Sequence, residues 1–237
     1  MKCPASFECA RITEIFSSLQ GEGPRMGERH IFIRFEACHM ACAYCDETGK
    51  KAKEMSVADI LKAVAKLERK AGPHACVSLT GGEPLLYVDF LKVLCPALKK
   101  RKHRILLETN GILWRQLSEV LKICDVIAMD LKLSSVTRQK GFLDEHRKFL
   151  ELASRKETYI KVVISKSVDL HEYERHLSMV AQVAPHVPVF LQPMSGSQGV
   201  YPDPALMWFL DELQRTGAKR LSDVRVGIQL QKLMNIR

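Results

Sequence analysis

Short apolar runs alternate along the chain with longer segments in which apolar residues recur at helical spacing. The short runs predict strands at residues 30–35, 76–80, 105–108, 125–129, 158–164, 189–192 and 224–228. The longer segments predict helices at residues 56–70, 88–99, 114–123, 144–155, 170–183 and 204–216. Strands and helices therefore follow one another in the order expected of repeated βα units.

The first two helices carry local signals at their ends. Ser56 is followed three residues later by Asp59, a pair that resembles a capping box. One apolar stripe then runs along the helix through Val57, Ile60, Leu61, Val64 and Leu67. In the second helix, Pro96 predicts a kink or an early end, because proline cannot donate a backbone hydrogen bond.

Several predicted strands are apolar at successive positions, as at residues 31–33 and 126–128. Both faces of such strands are covered, which is typical of parallel sheets. Right-handed βα crossovers then give an α/β fold that is either an open doubly wound sheet or a complete or partial barrel. The chain of 237 residues is 46% apolar and has no low-complexity linker, so we expect a single domain over residues 1–237.

The net charge of +9 raises the possibility of a nucleic-acid partner. The densest basic run, residues 99–104, follows a predicted helix, where cations complement the helix dipole. An anionic small substrate or an acidic protein partner would use the same charge. No apolar run is long enough to span a bilayer and the first residues do not resemble a secretory signal, so we expect a cytoplasmic protein.

Three cysteines, Cys38, Cys42 and Cys45, lie within eight residues just after a predicted strand. Iron-sulfur clusters are held by Cys thiolates, usually four, so three close cysteines suggest a cluster with one open iron. A structural zinc site is the alternative, although it needs four ligands and His39 is the only local candidate for the fourth. The remaining cysteines are isolated and are expected to be reduced thiols in the core; they are Cys3, Cys9, Cys76, Cys95 and Cys124.

The spacing of these cysteines, with Tyr44 before the third, resembles the radical S-adenosylmethionine (SAM) superfamily. The segment 80–84, Thr-Gly-Gly-Glu-Pro, follows the next strand and is similar to the superfamily's glycine-rich loop. This resemblance implies a [4Fe-4S] cluster on Cys38, Cys42 and Cys45, with SAM bound to the open iron. It further implies that an electron from the cluster cleaves SAM and that the resulting radical takes a hydrogen atom from the substrate.

Other motifs resemble one family of this superfamily, the 7-carboxy-7-deazaguanine synthases. They lie at residues 14–23, 32–34, 80–84, 108–111, 191–194 and 229–236, and therefore span nearly the whole chain. The resemblance implies a carbon-nitrogen lyase that converts 6-carboxy-5,6,7,8-tetrahydropterin to 7-carboxy-7-deazaguanine with release of ammonia, on the route to queuosine. It also implies a shortened, partly open α/β barrel, a homodimer and a flavodoxin-like electron donor.

The resemblance assigns residues to the substrate and to SAM. Leu19, Gln20, Gly21 and Thr80 match substrate contacts. Arg34 would pair with the substrate carboxylate through its planar guanidinium; the alternative is a structural ion pair at a strand end. The residues assigned to SAM are Tyr44, Gly82, Asp130, Leu131, Lys132, Gln192, Pro193, Met194 and Ser195. For Lys132 a solvated surface lysine is an equal alternative, and Glu83 is expected to stabilise its own loop.

Two positions depart from the family pattern. Family members bind Mg²⁺ through a Thr directly after Cys-Asp, whereas here Glu47 takes that position and Thr48 follows it. A carboxylate is a suitable Mg²⁺ ligand, so the matched position predicts Glu47 as the ligand. Gln231 stands where the family's tail commonly has His. Two other functions remain as alternatives: a radical SAM activase or peptide modifier, and a zinc-containing nucleic-acid-binding protein.

Overall fold

The computed structural model describes residues 8–47, 49–194 and 203–236, which form one nine-stranded sheet with helices. The strands are β1 (Cys9–Leu19), β2 (Arg29–Phe35), β3 (Lys53–Ser56), β4 (Cys76–Gly81), β5 (Ile105–Thr109), β6 (Val126–Leu131), β7 (Glu157–Ile164), β8 (Val189–Pro193) and β9 (Val224–Val226). The α-helices are α1 (Val57–Ala71), α2 (Val88–Lys100), α3 (Trp114–Val120), α4 (Ser134–Thr137), α5 (Leu143–Ala153), α6 (Leu170–Val183), α7 (Pro204–Ala218) and α8 (Leu230–Leu233).

The sheet is mostly parallel and open. Its strand order is β3-β1-β2-β4-β5-β6-β7-β8-β9, so β3 and β9 are its two edges. Every pair from β2 to β9 is parallel, whereas β1 pairs antiparallel with both β2 and β3. The prediction of a mostly parallel, partly open α/β fold is therefore confirmed, and the sheet does not close into a barrel.

The seven strands predicted from apolar runs all form, but β1 and β3 were missed. In β1 the buried positions alternate over part of the strand, at Ala10, Ile12, Phe16 and Ser18. Glu14 and the polar Ser18 interrupt the apolar alternation, so the two-residue period is hidden in the sequence. The short β3 is polar and pairs only at the sheet edge, where β1 supplies its hydrogen bonds.

The six predicted helices all form, whereas the short α4 and α8 were not predicted. The capping box at Ser56 and Asp59 forms as predicted, and Ile60 and Val64 of the apolar stripe are fully buried. The prediction of an early end at Pro96 is wrong, because α2 continues to Lys100. Burial of α2 around the proline outweighs a helix cost of about 3 kcal/mol. In the described ranges no helix is both long and apolar enough to span a membrane.

The isolated cysteines behave differently from one another. Cys76, Cys95 and Cys124 are free buried thiols, as predicted. Cys9 is half-buried and disulfide-bonded, which contradicts the expectation of a reduced core thiol. Cys3 lies outside the described residues.

The two faces of the sheet have different chemistry. One face packs against the helices and contributes to the large apolar core. The other face carries a smaller apolar group made of Cys76, Leu106, Val126, Ala128, Tyr159 and Phe190. Side chains two residues further along a strand point to the same face. On this second face, polar residues follow the apolar ones toward the carboxyl ends of the strands; they include Thr80, Glu108, Asp130, Lys161 and Gln192.

Candidate functional site

Two adjoining cavities lie at the carboxyl ends of the parallel strands, where ligands bind in open α/β sheets. The first cavity is lined by the cysteine loop, the glycine-rich loop and the ends of β6 and β8. The second is lined by the N-terminal motif, including Leu19, Gln20 and Gly21, together with Phe16, Phe32 and Gln231. The wall that the two cavities share contains Glu22, Arg34, Asp46, Glu47, Thr80, Glu108, Gln229 and Lys232.

The cysteine loop lies between β2 and β3, and Cys38, Cys42 and Cys45 all line the first cavity as free thiols. The segment around α4 forms two hydrogen bonds with the backbone of this loop. The Ala43 N–H donates to the Thr137 carbonyl at 3.1 Å, and the Gln139 side chain donates to the Ala41 carbonyl at 3.2 Å. The structure therefore brings the three predicted cluster ligands to one cavity and leaves their thiols free of disulfides.

Three free thiols that line one cavity fit a multinuclear cluster better than a structural zinc site, which needs four ligands. Two thiolates on one zinc, each about 2.3 Å from it, lie about 3.8 Å apart. Within the described ranges, only Glu28, His30 and Cys76 bring three His, Cys or acidic ligand atoms within 4.8 Å of one another. In a [4Fe-4S] cluster each cysteine binds a different iron, so wider spacing is suitable. The donor set therefore fits the cluster that the resemblance implies.

The group at Glu28, His30 and Cys76 lies near the amino ends of β2 and β4, away from the cavities. His30 shares one hydrogen bond with Ser78 at 2.8 Å and another with Glu28 at 3.2 Å. Arg25 also pairs with Glu28, at 3.0 Å. These polar atoms satisfy one another, and the arginine disfavours an added cation.

The glycine-rich loop packs against the backbone that leads into the cysteine loop. The Gly82 N–H donates to the Phe35 carbonyl at 2.9 Å, and the Glu83 N–H donates to the Ala37 carbonyl at 2.7 Å. A Cβ atom at Gly82 would lie 2.2 Å from the Ala37 oxygen, and Gly81 has a positive φ of 112°. Glycine is therefore required for contact with the protein's own backbone as well as for approach to a ligand.

Glu83 stabilises its own loop, as the sequence predicted. Its carboxylate is fully buried and accepts hydrogen bonds from the N–H of Leu85, the N–H of Asn110 and the hydroxyl of Thr109. Burial raises the pKa of Glu83 to about 7, and these donors limit the rise. The side chain thus joins the loops that follow β4 and β5.

Most residues assigned to SAM line the first cavity, including Tyr44, Gly82, Gln192, Pro193 and Met194. Asp130 and Lys132 also line it, because they alternate on one face of the strand end. Leu131 lies between them, is 2% exposed and packs in the core on the other face, so its side chain is not in the cavity. Ser195 lies outside the described residues.

Lys132 is largely withdrawn from solvent, with only 12% of its side chain exposed, which contradicts the alternative of a solvated surface lysine. Its ammonium lies 2.7 Å from the Asp130 carboxylate and 3.4 Å from the Tyr44 hydroxyl. Asp130 is also 3.5 Å from the Lys161 ammonium, and Lys161 is 2.7 Å from Glu22. Four groups of alternating charge thus run from the first cavity into the shared wall.

These four groups remain charged at neutral pH. Burial by itself would lower the pKa values of Lys132 and Lys161, but the neighbouring carboxylates outweigh it and raise them. Burial would likewise raise the pKa values of Glu22 and Asp130, but the two ammonium groups lower them. Each charge therefore depends on its neighbours, because an unpaired charge at this depth would be costly.

In the second cavity Glu108 orients two of the residues assigned to the substrate. Its carboxylate accepts from the Gln20 amide at 2.9 Å and from the Thr80 hydroxyl at 3.0 Å. The backbone carbonyl of Gly21 accepts from the Leu230 N–H at 3.0 Å, so the C-terminal tail lies against the N-terminal motif. Gln231, the departure from the family's His, donates to Glu22 at 3.1 Å.

Arg34 and Glu47, assigned to the substrate carboxylate and to Mg²⁺, contact each other directly. An Arg34 Nη atom lies 2.6 Å from the Glu47 carboxylate, and Arg34 Nε lies 3.3 Å from Glu14. Lys50 lies 3.0 Å from Glu47 on the other side. The structural ion pair considered for Arg34 therefore exists, at the wall between the two cavities. Thr48 lies outside the described residues.

Several charged residues of the site have no role assigned from the sequence, among them Glu22, Glu108 and Lys161. Glu108 and Lys161 interrupt otherwise apolar strands, two residues after Leu106 and Tyr159 of the smaller apolar group. A lone charge in a buried strand is a signal that could have identified them. Glu22 lies inside the recognised motif, but its place in the site follows only from its contacts with residues that are distant in sequence, such as Lys161 and Gln229.

Comparison with known proteins supports the same reading. The family model for the radical SAM superfamily matches residues 32–170. The 7-carboxy-7-deazaguanine synthase of Geobacter sulfurreducens is 34% identical, with 95% of this chain and 97% of the relative covered. The 7-carboxy-7-deazaguanine synthase of Methanopyrus kandleri is also 34% identical, with 94% and 93% covered.

Solved structures agree on the fold. The crystal structure of QueE from Escherichia coli superposes with a TM-score of 0.64 at 21% identity, covering 94% of each chain. Streptococcus suis SuiB bound to S-adenosylmethionine gives a TM-score of 0.62 at 16% identity, covering 81% of this chain and 48% of that one. The open parallel sheet, the shared motifs and near-complete coverage by relatives lead to one conclusion. The chain belongs to the radical SAM superfamily and, within it, to the 7-carboxy-7-deazaguanine synthase family.

Proposed function

We propose that this protein is a 7-carboxy-7-deazaguanine synthase, which converts 6-carboxy-5,6,7,8-tetrahydropterin to 7-carboxy-7-deazaguanine and releases ammonia. The observation that carries the proposal is the pair of adjoining cavities. One contains the three free thiols and the glycine-rich loop, and the other contains the N-terminal motif. The two cavities would hold two ligands next to each other, one on each side of the shared wall, as hydrogen transfer between a SAM-derived radical and a substrate requires.

The residues of the site divide between the two ligands. Cys38, Cys42 and Cys45 would hold the cluster, which supplies the electron that cleaves SAM. Asp130 and Lys132 would contact the SAM amino acid group. On the other side Gln20 and Thr80, oriented by Glu108, would hydrogen-bond the pterin.

The substrate carboxylate has a ready partner in this arrangement. Arg34 now pairs with the carboxylate of Glu47 in the shared wall. The substrate carboxylate would replace Glu47 there, because the planar guanidinium suits bidentate pairing with a carboxylate. The internal ion pair keeps the partly buried guanidinium neutralised until the substrate arrives.

The function is tested with anaerobically reconstituted protein. We expect iron and sulfide close to four of each per chain. With SAM, a reductant and 6-carboxytetrahydropterin, mass spectrometry should detect 7-carboxy-7-deazaguanine, and an enzymatic assay should detect ammonia. SAM cleavage without this product would contradict the substrate assignment and favour the activase or peptide-modifier alternative. Zinc without sulfide would favour the nucleic-acid-binding alternative.

The proposal also includes a Mg²⁺ ion at the substrate site, with Glu47 as its ligand. Glu47 faces both cavities, and its hard carboxylate oxygens suit Mg²⁺. Arg34 and Lys50 neutralise it in the free protein. The residue therefore fits the ion when the substrate carboxylate has taken Arg34, so that Mg²⁺ and substrate would bind together.

Glu47→Ala is expected to lose the stimulation of turnover by Mg²⁺, whereas Thr48→Ala should keep it. Binding provides a second measurement: electron paramagnetic resonance of Mn²⁺, used in place of Mg²⁺, should show substrate-dependent binding in the parent protein and none in Glu47→Ala. Full magnesium-dependent turnover in Glu47→Ala, together with its loss in Thr48→Ala, would move the ligand to the next residue.

Four further features belong to the proposal. Exposed apolar side chains, among them Trp208, Leu233 and Met234, are available to the interface of a homodimer. The net charge of +9 supports an acidic, flavodoxin-like electron donor. A cysteine loop that holds a cluster must stay reduced, which supports a cytoplasmic location even though Cys9 is disulfide-bonded. The continuous sheet supports a single domain.

A further inference from the structure

Four largely buried side chains of alternating charge run along the first cavity to the wall that it shares with the second. Lys132, Asp130, Lys161 and Glu22 all line the first cavity, and Glu22 also lines the second. The three successive contacts measure 2.7, 3.5 and 2.7 Å. In this charge row, each inner residue has a partner on either side.

We propose that Lys161 is a positioning residue that couples SAM binding in the first cavity to substrate binding in the second, through the charge row Lys132-Asp130-Lys161-Glu22. The inference rests on the proposed function, since it needs both ligands in their assigned cavities. It assigns a role to Lys161, which neither SAM nor substrate needs to touch for the coupling to operate.

The contacts in the charge row predict that the coupling between the two ligands is favourable. A SAM carboxylate beside Lys132 competes with Asp130 for that ammonium. Asp130, partly released, then attracts Lys161 more strongly and shortens its 3.5 Å contact with it. Lys161 shares its charge between two carboxylates, so its pairing with Glu22 weakens as its pairing with Asp130 strengthens.

Glu22 is placed to pass this change on to the substrate. Its carboxylate also accepts from the side-chain amides of Gln192, Gln229 and Gln231, at 3.3, 2.8 and 3.1 Å. A Glu22 that is less fully paired with Lys161 is a stronger acceptor for the N–H groups of a ligand in the second cavity. Bound SAM therefore increases the affinity for the substrate, and by linkage bound substrate increases the affinity for SAM equally.

Lys161 is suited to this role by its surroundings. Its side chain is only 10% exposed, so water screens its contacts poorly and a change at one carboxylate affects the other. It lies directly opposite Asp130 in the register of β6 and β7, and both side chains point to the cavity face. A lysine that served only to neutralise Glu22 would need no second carboxylate.

The test measures binding with no reductant present, so that SAM stays intact. The cluster-loaded protein is titrated anaerobically by calorimetry with SAM, in the absence and presence of 6-carboxytetrahydropterin, and then in the reverse order. The ratio of the two SAM dissociation constants is the coupling factor. We expect a factor of at least about fivefold in the parent protein, the lower end of typical coupling between sites.

Variants separate the charge row from direct contact between the two ligands. Lys161→Met should bring the factor close to 1, and Lys161→Arg should retain part of it. Lys99→Met is the matched control: it removes a lysine paired with Asp125 at 2.7 Å, outside both cavities, and should leave the factor unchanged. Asp130→Asn removes the middle link without leaving a buried carboxylate unpaired, so it serves if Lys161→Met does not fold.

The outcomes are distinct. A coupling factor of 1 in the parent protein overturns the proposal. It is also overturned if Lys161→Met or Asp130→Asn binds both ligands with an unchanged coupling factor, because the ligands then communicate by direct contact. If 6-carboxytetrahydropterin does not bind the parent protein with or without SAM, the proposed function fails and the inference fails with it. A factor lost in Lys161→Met and retained in Lys99→Met supports the proposal.

Discussion

Replacement of Cys42 by Ala is expected to abolish SAM cleavage. Three thiolates are the minimum that leaves one iron of a [4Fe-4S] cluster open, so the loss of one ligand exposes a second iron and makes the cluster unstable. Cys42 lines the first cavity as a free, partly exposed thiol, and its removal leaves no core cavity. Circular dichroism should therefore report a folded protein that binds much less iron and sulfide and forms no 5′-deoxyadenosine.

The control for this experiment is Cys76→Ala. Cys76 is also a free thiol, but it is buried in the smaller apolar group, away from both cavities. This variant should keep its cluster and cleave SAM, with at most a modest loss of stability. Undiminished SAM cleavage in anaerobically reconstituted Cys42→Ala would contradict the assignment of the cluster ligands.

Arg34→Ala is expected to weaken substrate binding far more than SAM binding. A carboxylate left without its guanidinium in a partly dry site loses about 2 to 5 kcal/mol by analogy with interfaces, which corresponds to roughly 30-fold or more in affinity. The affinity for SAM, which is assigned to the other cavity, should fall by less than about threefold. Anaerobic calorimetry with 6-carboxytetrahydropterin and with SAM, each added separately, measures the two effects.

Two further variants distinguish substrate binding by Arg34 from a purely structural role. Arg34→Lys keeps the charge without the planar fork, so it should recover only part of the substrate affinity. Arg11→Ala removes an exposed arginine that pairs with Glu36 outside both cavities, and it should change neither affinity. Because Arg34 also holds Glu14 and Glu47, a purely structural role would lower the affinities for both ligands equally.

Much of this protein's organisation can be derived from local sequence features. The seven parallel strands are recognisable because each is a short, β-rich apolar run, and the first helix because Ser56 and Asp59 cap an apolar stripe. The proposed ligands of the cluster are recognisable because Cys38, Cys42 and Cys45 are close together in sequence, so a single loop brings them to one cavity. The glycine-rich loop is recognisable for the same reason.

Other features depend on distances that only the folded chain defines. Glu22 and Lys161 are 139 positions apart, and Gln20 and Glu108 are 88 apart, yet both pairs form hydrogen bonds. Strand order and register bring them together, and no local pattern encodes either. Leu131 is a residue that is close to the site in sequence but absent from it in the structure. It adjoins Asp130 and Lys132, but the strand's two-residue period directs its side chain into the core.

Tertiary packing also decided the conformation of β1 and of the helix around Pro96. β1 has no clear period because Glu14 and Ser18 interrupt it, and it forms a strand because β2 and β3 supply hydrogen bonds on both sides. Pro96 breaks a helix in isolation, but burial of Leu94, Cys95 and Leu98 keeps α2 continuous. The pairing of Arg34 with Glu47 likewise follows from the placement of a loop against a strand end. Local patterns thus specified the elements and the cluster loop, whereas long-range packing specified which charges meet in the site.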